Sequence, residues 1–265
     1  MIHPTAIVHP QAKLHSTVEV GPYAVIDAGV ELGANCVVGP HAYITGLTKA
    51  GSDNKFHASS VIGGTPQDLK YKGEATGLVI GDNNTFREHV TVNCATTPEE
   101  NTVIGSNNLI MASAHIGHNS VLCNHVIMAN SSMLGGHAHI ADRALLSGGC
   151  MVHQFCHVGT LAIMQGGSAI SKDLAPFTVA RGHNGICGLN VIGLRRNGFS
   201  AAERIELKNL YHALFRGNRT LTEAVAAART EFTSQSAKVM LDFIAASKRG
   251  VCAAWGVSLS DEDNE

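Results

Sequence analysis

Aromatic and charged side chains are scarce in this chain. Aromatic residues make up 5% of the 265 positions, with a single Trp, and charged residues make up 15%. The formal net charge is only −2. These values exclude the broad basic surface that is typical of nucleic-acid-binding proteins, so we expect no nucleic-acid partner.

Long apolar runs and an even set of cysteines are also missing. No segment approaches the roughly 20 consecutive apolar residues that a membrane-spanning helix requires. The chain starts directly in a patterned segment, without a charged leader followed by an apolar stretch. Seven cysteines, several at interior positions of the pattern described below, indicate buried thiols rather than disulfides. We therefore expect a cytoplasmic protein with no membrane span and no secretory signal.

An aliphatic residue returns at every sixth position over two long stretches, from Ile2 to Ile44 and from Ile104 to Ile170. A small residue follows most of these leaders four places on. Neither a helix, with a period near 3.6, nor a half-buried strand, with a period of 2, produces this spacing. A six-residue repeat is the signature of a parallel β-helix. We predict an all-β solenoid followed by helices: a left-handed parallel β-helix with a C-terminal helical cap.

Interruptions of the repeat predict the domain organisation. We expect the β-helix over residues 1–190, with loops near 64–79 and 95–103 and a slip of the register after Lys49. A C-terminal helical domain is expected over 191–256, with helices near 200–216, 220–232 and 236–248, and an acidic tail over 257–265. Ser200-x-x-Glu203 and Thr220-x-x-Glu223 have the capping-box form that begins a helix.

Three hexads complete one coil in this fold, so residues eighteen apart stack in neighbouring coils. His118, Gly136 and Gln154 have that spacing and are predicted to form a column at strand-to-strand distance. Further histidines lie beside the column: His115, His137 and His153. We predict that this wall of the β-helix is the active site.

Specific motifs occur in a characteristic order along the chain. They are Gln67-Asp68-Leu69-Lys70-Tyr71, His115-Ile116-Gly117-His118, Leu134-Gly135-Gly136-His137, Val152-His153-Gln154-Phe155, Gly188-Leu189-Asn190 and Gly193-Leu194-Arg195-Arg196. In these motifs, over nearly its whole length, the chain resembles the bacterial acyl-carrier-protein:UDP-N-acetylglucosamine O-acyltransferases. The resemblance implies transfer of a 3-hydroxyacyl chain from acyl carrier protein to the 3-hydroxyl of UDP-N-acetylglucosamine in lipid A biosynthesis. It also implies a homotrimer with active sites between subunits.

The resemblance assigns roles to individual residues. His118 matches the general base, for which a neutral imidazole is suited, and Gly136 matches the backbone N–H that stabilises the oxyanion. The expected substrate-binding residues are Asp68, Lys70, His115, His137, His153, Gln154, Asn190 and Arg196. Gly166 matches the position that measures acyl length. Direct attack on a thioester needs no cofactor beyond the donor's phosphopantetheine and no metal.

Three departures from the family pattern leave alternatives open. Asn93-Cys94-Ala95 stands where His-Arg-Gly is common, Asn119 stands where Asp is common, and Ile192 replaces a frequently acidic residue. The acceptor could therefore be a 3-amino sugar nucleotide. His118, His153 and His157 also invite comparison with the zinc-dependent β-helical hydratases of the carbonic anhydrase type. A third alternative is a catalytically silent binding or scaffold protein.

Overall fold

The computed structural model describes residues 1–254. Short parallel strands form three sheets, which are the three faces of a left-handed β-helix. This confirms the predicted fold class. Numbered along the chain, the strands of the first face are β1 (Ile7–Val8), β4 (Val25–Ile26), β7 (Tyr43–Ile44), β10 (Val61–Gly64), β13 (Thr91–Asn93), β16 (His115–Ile116), β19 (Met133–Leu134), β22 (Met151–Val152) and β25 (Ala169–Ile170).

The second and third faces complete each coil. The strands of the second face are β2 (Lys13–Leu14), β5 (Glu31–Leu32), β8 (Leu47–Ala50), β11 (Gly77–Ile80), β14 (Asn101–Ile104), β17 (Val121–Leu122), β20 (His139–Ile140) and β23 (His157–Val158). The strands of the third face are β3 (Glu19–Val20), β6 (Val37–Val38), β9 (Lys55–Phe56), β12 (Thr85–Phe86), β15 (Leu109–Ile110), β18 (Ile127–Met128), β21 (Leu145–Leu146), β24 (Ile163–Met164), β26 (Thr178–Arg181), β27 (Gly185–Leu189) and β28 (Ala253–Ala254).

The six-residue period sets both the core and the register. In most strands the second residue is the hexad leader and is buried, and the first residue is more exposed. Ile116 pairs with Leu134, which pairs with Val152 in the next coil. All three side chains are buried. Aliphatic columns of this kind fill the interior of the β-helix. The side chains at the outer positions of the strands face away from this core and can contact ligands.

The predicted slip of register after Lys49 is wrong. Ala50 occupies a leader position and pairs with Leu32 in the preceding coil and with Ile80 in the following one. A small leader obscured the repeat in the sequence, but the stacking of the coils continues through it.

Both loops are shorter than predicted. Residues 77–79 and 101–103, which we expected in the loops, belong to β11 and β14, and these two strands pair with each other in register. The excursions from the β-helix therefore cover residues 65–76, here called loop 1, and residues 94–100, here called loop 2. β11 and β14 begin earlier than expected because their first residues pair with each other, which lengthens both strands.

A helical cap follows the last coil. Its helices are α1 (Val191–Arg196), α2 (Ala201–Phe215), α3 (Leu221–Glu231) and α4 (Gln235–Ala246). The three predicted helices are confirmed, with ends shifted by one or two residues, and both capping boxes are formed. The segment 180–197 contains the end of an antiparallel hairpin and α1.

The last described residues return to the β-helix. β28 pairs with β27, so the region expected to be helical up to residue 256 includes a strand. The predicted acidic tail, 257–265, lies outside the described residues. No helix within residues 1–254 is long and apolar enough to cross a membrane.

Candidate active site at a corner of the β-helix

His118, Gly136 and Gln154 lie at the corner between the first and second faces and stack as the period predicts. The N–H of His137 donates to the carbonyl of His118, and the N–H of Phe155 donates to the carbonyl of Gly136. An open groove of ≈ 540 Å³ crosses the first face beside this corner. Its lining residues include Gln67, Asn93, His115, His118, Gly136, Met133, Met151, His153, Gln154, Ala169 and His183.

Tight turns produce this corner. Asn119, His137 and Phe155, one per coil, all have positive φ angles, between 57° and 63°. Asn tolerates this left-handed conformation better than most residues do. The preceding position in each coil holds His118, Gly136 or Gln154. The same backbone geometry therefore presents three chemically different residues at the edge of one groove.

His118 is nearly buried, and its ring is held on one side. Its Nδ1 lies 2.9 Å from Oδ1 of Asn119. That oxygen also accepts the backbone N–H of Thr96, while Nδ2 of Asn119 donates to the Glu100 carboxylate. Because a backbone N–H can only donate and a carboxylate can only accept, one orientation of the amide satisfies both partners. Asn119 must then accept from Nδ1–H, and this leaves Nε2 of the neutral ring as the free base.

Gly136 lies against the imidazole of His118. A Cβ atom built on Gly136 would be 2.4 Å from Nε2 of that ring, so no other residue type fits without displacing it. Within the described residues, the N–H of Gly136 has no hydrogen-bond acceptor. At another corner the equivalent N–H of Asn124 is taken by the Asp142 side chain. The free N–H beside the imidazole can therefore donate to a ligand oxygen.

Loop 1 brings a carboxylate to the free side of His118. Oδ2 of Asp68 lies 3.9 Å from Nε2 of the imidazole. Oδ1 of Asp68 accepts the backbone N–H of Lys70, which fixes the turn at the tip of the loop. Lys70 itself is exposed next to this turn. Asp68 can stabilise a protonated His118, and Lys70 is available to a ligand that carries negative charge.

Two further histidines flank the base in neutral form. Burial, and then the proximity of His118, lower the pKa of His115. The same two causes lower the pKa of His137, whose ring packs edge-on against His118 at 5.3 Å and stacks on Phe155. Nδ1 of His115 is 2.7 Å from the Thr91 hydroxyl. Both rings therefore serve as neutral hydrogen-bonding groups near neutral pH.

His153 and Gln154 continue the column at the far end of the groove. The C-terminal segment reaches this end, since Nη2 of Arg249 lies 3.4 Å from Nδ1 of His153. Nε of Arg249 also donates to the carbonyl of Ser171. This contact could not be predicted from the sequence, because 96 residues separate the two side chains.

Asn190 and Arg196 are not brought to this groove within one chain. They line a second groove, of ≈ 640 Å³, on the third face, together with His125 and Arg143. Asn190 is buried there as the N-cap of α1: Oδ1 accepts the Gly193 N–H, and Nδ2 donates to the carbonyl of Leu161. Arg196 is exposed at the end of α1. Gly166 lies at the corner between the third and first faces, close to the carbonyl of Gly148.

Other groove residues were missed by sequence reasoning. Met133 and Met151 occupy the outward positions of β19 and β22 and give the groove an apolar floor. Nδ2 of Asn93 donates to the carbonyl of Thr65 at the root of loop 1. Oδ1 of Asn93 is buried and has no hydrogen-bond partner in residues 1–254. The outward positions of successive strands were a usable signal for the methionines, whereas the Asn93 contact depends on the path of the loop.

The cysteine thiols and the His, Cys, Asp and Glu side chains of residues 1–254 are not arranged for nucleophilic thiol chemistry or for holding a metal. Burial raises the pKa of Cys94 to about 11 and that of Cys252 to about 12, so neither is a thiolate near neutral pH. Within the described residues, no three His, Cys, Asp or Glu side chains are placed to hold a metal ion. His157 lies on β23 of the second face, away from the groove that His118 and His153 line.

Comparison with known proteins identifies the family. Residues 11–46 and 101–136 match the bacterial transferase hexapeptide repeat, and residues 173–252 match domain 2 of UDP-N-acetylglucosamine O-acyltransferase. The acyl-[acyl-carrier-protein]–UDP-N-acetylglucosamine O-acyltransferase of Janthinobacterium sp. (strain Marseille) is 43% identical over 95% of this chain and 98% of its own length. This chain belongs to that acyltransferase family. The resemblance seen in the sequence motifs is thereby confirmed.

Other members of this acyltransferase family agree with the assignment. The protein of the same name from Myxococcus xanthus is 42% identical, over 94% of this chain and 98% of its own. Among solved structures, the UDP-N-acetylglucosamine acyltransferase of Francisella novicida superimposes with a TM-score of 0.92 at 34% identity, covering 97% of this chain and 95% of its own. The Bacteroides fragilis enzyme gives a TM-score of 0.92 at 38% identity, over 95% and 99%.

Proposed function

We propose that this protein transfers a 3-hydroxyacyl chain from the thioester of acyl carrier protein to the 3-hydroxyl of UDP-N-acetylglucosamine, in lipid A biosynthesis. The observation that carries the proposal is the geometry of His118. Asn119 holds Nδ1 as a donor, and Nε2 is left as a free base beside the N–H of Gly136. Membership of the acyltransferase family supports the choice of donor and acceptor.

The reaction follows from these groups. Nε2 of His118 removes the proton of the sugar hydroxyl as its oxygen attacks the thioester carbonyl, so that a C–O bond forms. Negative charge develops on the former carbonyl oxygen, and the N–H of Gly136 donates to it. The intermediate then expels the thiolate by breaking the C–S bond, and the imidazolium returns its proton to the sulfur. The nearby Asp68 carboxylate stabilises the imidazolium between these two steps.

The remaining site residues lie either around His118 or on the third face. His115, His137, His153 and Gln154 surround the base or continue its column, where they can contact the sugar and the acyl chain. Arg196 lines the groove on the third face, and a guanidinium is well suited to a diphosphate. Lys70, exposed beside Asp68, is the other cation that we assign to the nucleotide. Asn190 orients α1 and thereby Arg196.

We further propose that the active unit is a homotrimer, since the two halves of the site lie on different faces of one chain. A second copy that placed its third face against the first face would bring Arg196 to His118. The exposed Met133 and Met151 give the first face an apolar surface for such a contact. Mixing a His118→Ala protein with an Arg196→Ala protein tests this arrangement. Mixed oligomers regain activity if each site uses one residue from each copy, and they remain inactive if a site is built from one chain.

Acyl carrier protein is proposed to approach the helical cap. Exposed basic residues lie in α1 and α2 and just after α2: Arg195, Arg196, Lys208, Arg216 and Arg219. Acyl carrier proteins are acidic, so this surface can increase the rate of encounter. We place the enzyme in the cytoplasm, where free thiols such as the seven in this chain stay reduced.

Purified protein tests the main proposal when it is incubated with 3-hydroxyacyl carrier proteins of several lengths and either UDP-N-acetylglucosamine or its 3-amino analogue. We expect an ester product, and a fall of about 10²- to 10⁴-fold with His118→Ala. His9→Ala is the matched control, because His9 is exposed at a corner that follows the first face in the first coil. If only the amide product formed, the acceptor would be the 3-amino sugar nucleotide and not UDP-N-acetylglucosamine. If neither acceptor gave a product, the proposal would be overturned.

A further inference from the structure

Asn119 is held by loop 2 and by β14, the strand that follows this loop. Its backbone N–H donates to the Thr102 hydroxyl at 2.8 Å. Its Oδ1 accepts both the backbone N–H and the hydroxyl of Thr96, at 3.1 Å each. Its Nδ2 donates to the Glu100 carboxylate. Loop 2 therefore determines the position of the side chain that holds Nδ1 of His118.

The neutral amide of Asn119 carries no negative charge that could stabilise a protonated His118. When His118 takes the proton of the acceptor, the ring becomes positively charged, and a carboxamide supplies only a dipole to stabilise that charge. The hydrogen-bonded path from Nδ1 continues through the amide of Asn119 to the carboxylate of Glu100. Hydrogen bonds in series polarise one another, so a charge at the end of the path acts on the ring.

We propose that Glu100 is a positioning residue for His118 that acts through Asn119. Glu100 locks the amide so that Oδ1 faces the imidazole, and it supplies the negative charge that the amide lacks. The inference rests on the proposed role of His118 as the base. Glu100 itself touches neither His118 nor the groove, so it is not a catalytic residue.

The other charged groups around His118 do not make Glu100 redundant. Asp68 faces the opposite ring nitrogen at 3.9 Å, where the acceptor must enter. His115 and His137, on neighbouring coils of the first face and its corner, have lowered pKa values and are neutral near neutral pH. Glu100 is then the anion that reaches the Nδ1 side of the ring.

Glu100→Gln removes the charge but keeps an acceptor for Nδ2 of Asn119. We expect kcat to fall about tenfold with little change in KM. The acidic limb of the kcat–pH profile should move to lower pH, because the imidazolium loses a stabilising anion. Glu99→Gln is the matched control: Glu99 is exposed on the same loop and makes no hydrogen bond to Asn119.

A double variant separates positioning from a structural role. In Glu100→Gln with Asn119→Asp, the glutamine amide can donate to the new carboxylate, which accepts from Nδ1 directly. We expect both kcat and the acidic limb to return towards the parent values.

The inference is overturned if Glu100→Gln behaves like Glu99→Gln, or if it loses activity without a pH shift and without rescue by the double variant. His118→Ala in the same assay isolates the premise. If that variant turned over at the parent rate, the base assignment would fail, whatever Glu100 does.

Discussion

The imidazole of His118 lies directly on the space where Gly136 would carry a side chain. A methyl group at Gly136 would approach Cε1 and Nε2 of that ring to 2.4 Å. The stacking of residues eighteen apart thus makes one residue of the column the steric support of the other. In the proposed mechanism Gly136 has two functions: it leaves room for the base, and it offers its N–H to the oxyanion.

Gly136→Ala is therefore expected to displace the base without unfolding the protein. The clash is with the end of a side chain that can rotate, so the free energy of unfolding should change little. A displacement of about 1 Å can lower a rate about 10²-fold. Turnover and thermal denaturation check this together, with Gly188→Ala as the control, because a Cβ there meets nothing within 4 Å. Parent-like turnover by Gly136→Ala would contradict the steric role.

Gly166 should set the longest acyl chain that the enzyme accepts. A Cβ at Gly166 would make only an ordinary contact, 3.6 Å from the carbonyl of Gly148, so a larger side chain can fit without backbone strain. We expect Gly166→Met to keep activity with short 3-hydroxyacyl carrier proteins and to lose it with long ones. Rates measured over a series of chain lengths give the answer, and the short donors serve as the internal control. An unchanged length profile would show that the acyl chain runs elsewhere.

Stability should fall as the pH drops below neutral. Burial lowers the pKa values of His115, His137 and His139, so the unfolded chain takes up protons first, near its usual value of about 6.5. Their contribution is fully present above that pH and is lost below it. Urea midpoints at about pH 7.5 and about pH 5.5 bracket this window and stay above the range where the glutamates titrate.

His139 provides the test of that cause, because it lies on the second face, away from the groove. Its ring is 5.4 Å from that of His157, and the proximity of this second histidine also lowers its pKa. We expect His139→Gln to reduce the loss of stability on acidification. A midpoint that rises on acidification in the parent protein would rule out this account.

Buried asparagines stabilise the corner between the second and third faces. Asn84 donates to Oδ1 of Asn54 and to the carbonyl of Gly105, and its own Oδ1 accepts the N–H of Asn108. Asn84→Ala leaves several of these buried groups unpaired. We expect it to lower the free energy of unfolding by about 1–3 kcal/mol in chemical denaturation. Asn209→Ala on the exposed surface of α2 is the control. If both variants changed the free energy of unfolding by the same small amount, the hydrogen bonds of the buried asparagines would contribute little.

The sequence predicted what the period controls. Because coils repeat every eighteen residues, the neighbourhood of His118 and Gly136 could be read from their spacing. The predicted slip after Lys49 failed because a small leader, Ala50, hid an unbroken register. The contacts of Glu100 and Asp68 with the base's surroundings depend on the path of two loops, which no period describes.

Residues far apart in sequence were equally out of reach. Arg249 meets His153 only because the chain returns to the β-helix after four helices. The separation of Arg196 from His118 was also not visible in the motifs, since it depends on which face of the last coils α1 covers. Patterns within one element are local, whereas these contacts are set by tertiary packing.

Loop 1 leaves the β-helix after β10 and rejoins it at β11. β11 pairs residue by residue with β8 before it and with β14 after it, so the coils close as if the loop were absent. The entropy of closing a loop grows only slowly with its length. Loops of other lengths and sequences can therefore be exchanged here while the β-helix stays folded, so the loop residues proposed to bind the substrate can diverge independently of the scaffold that holds His118.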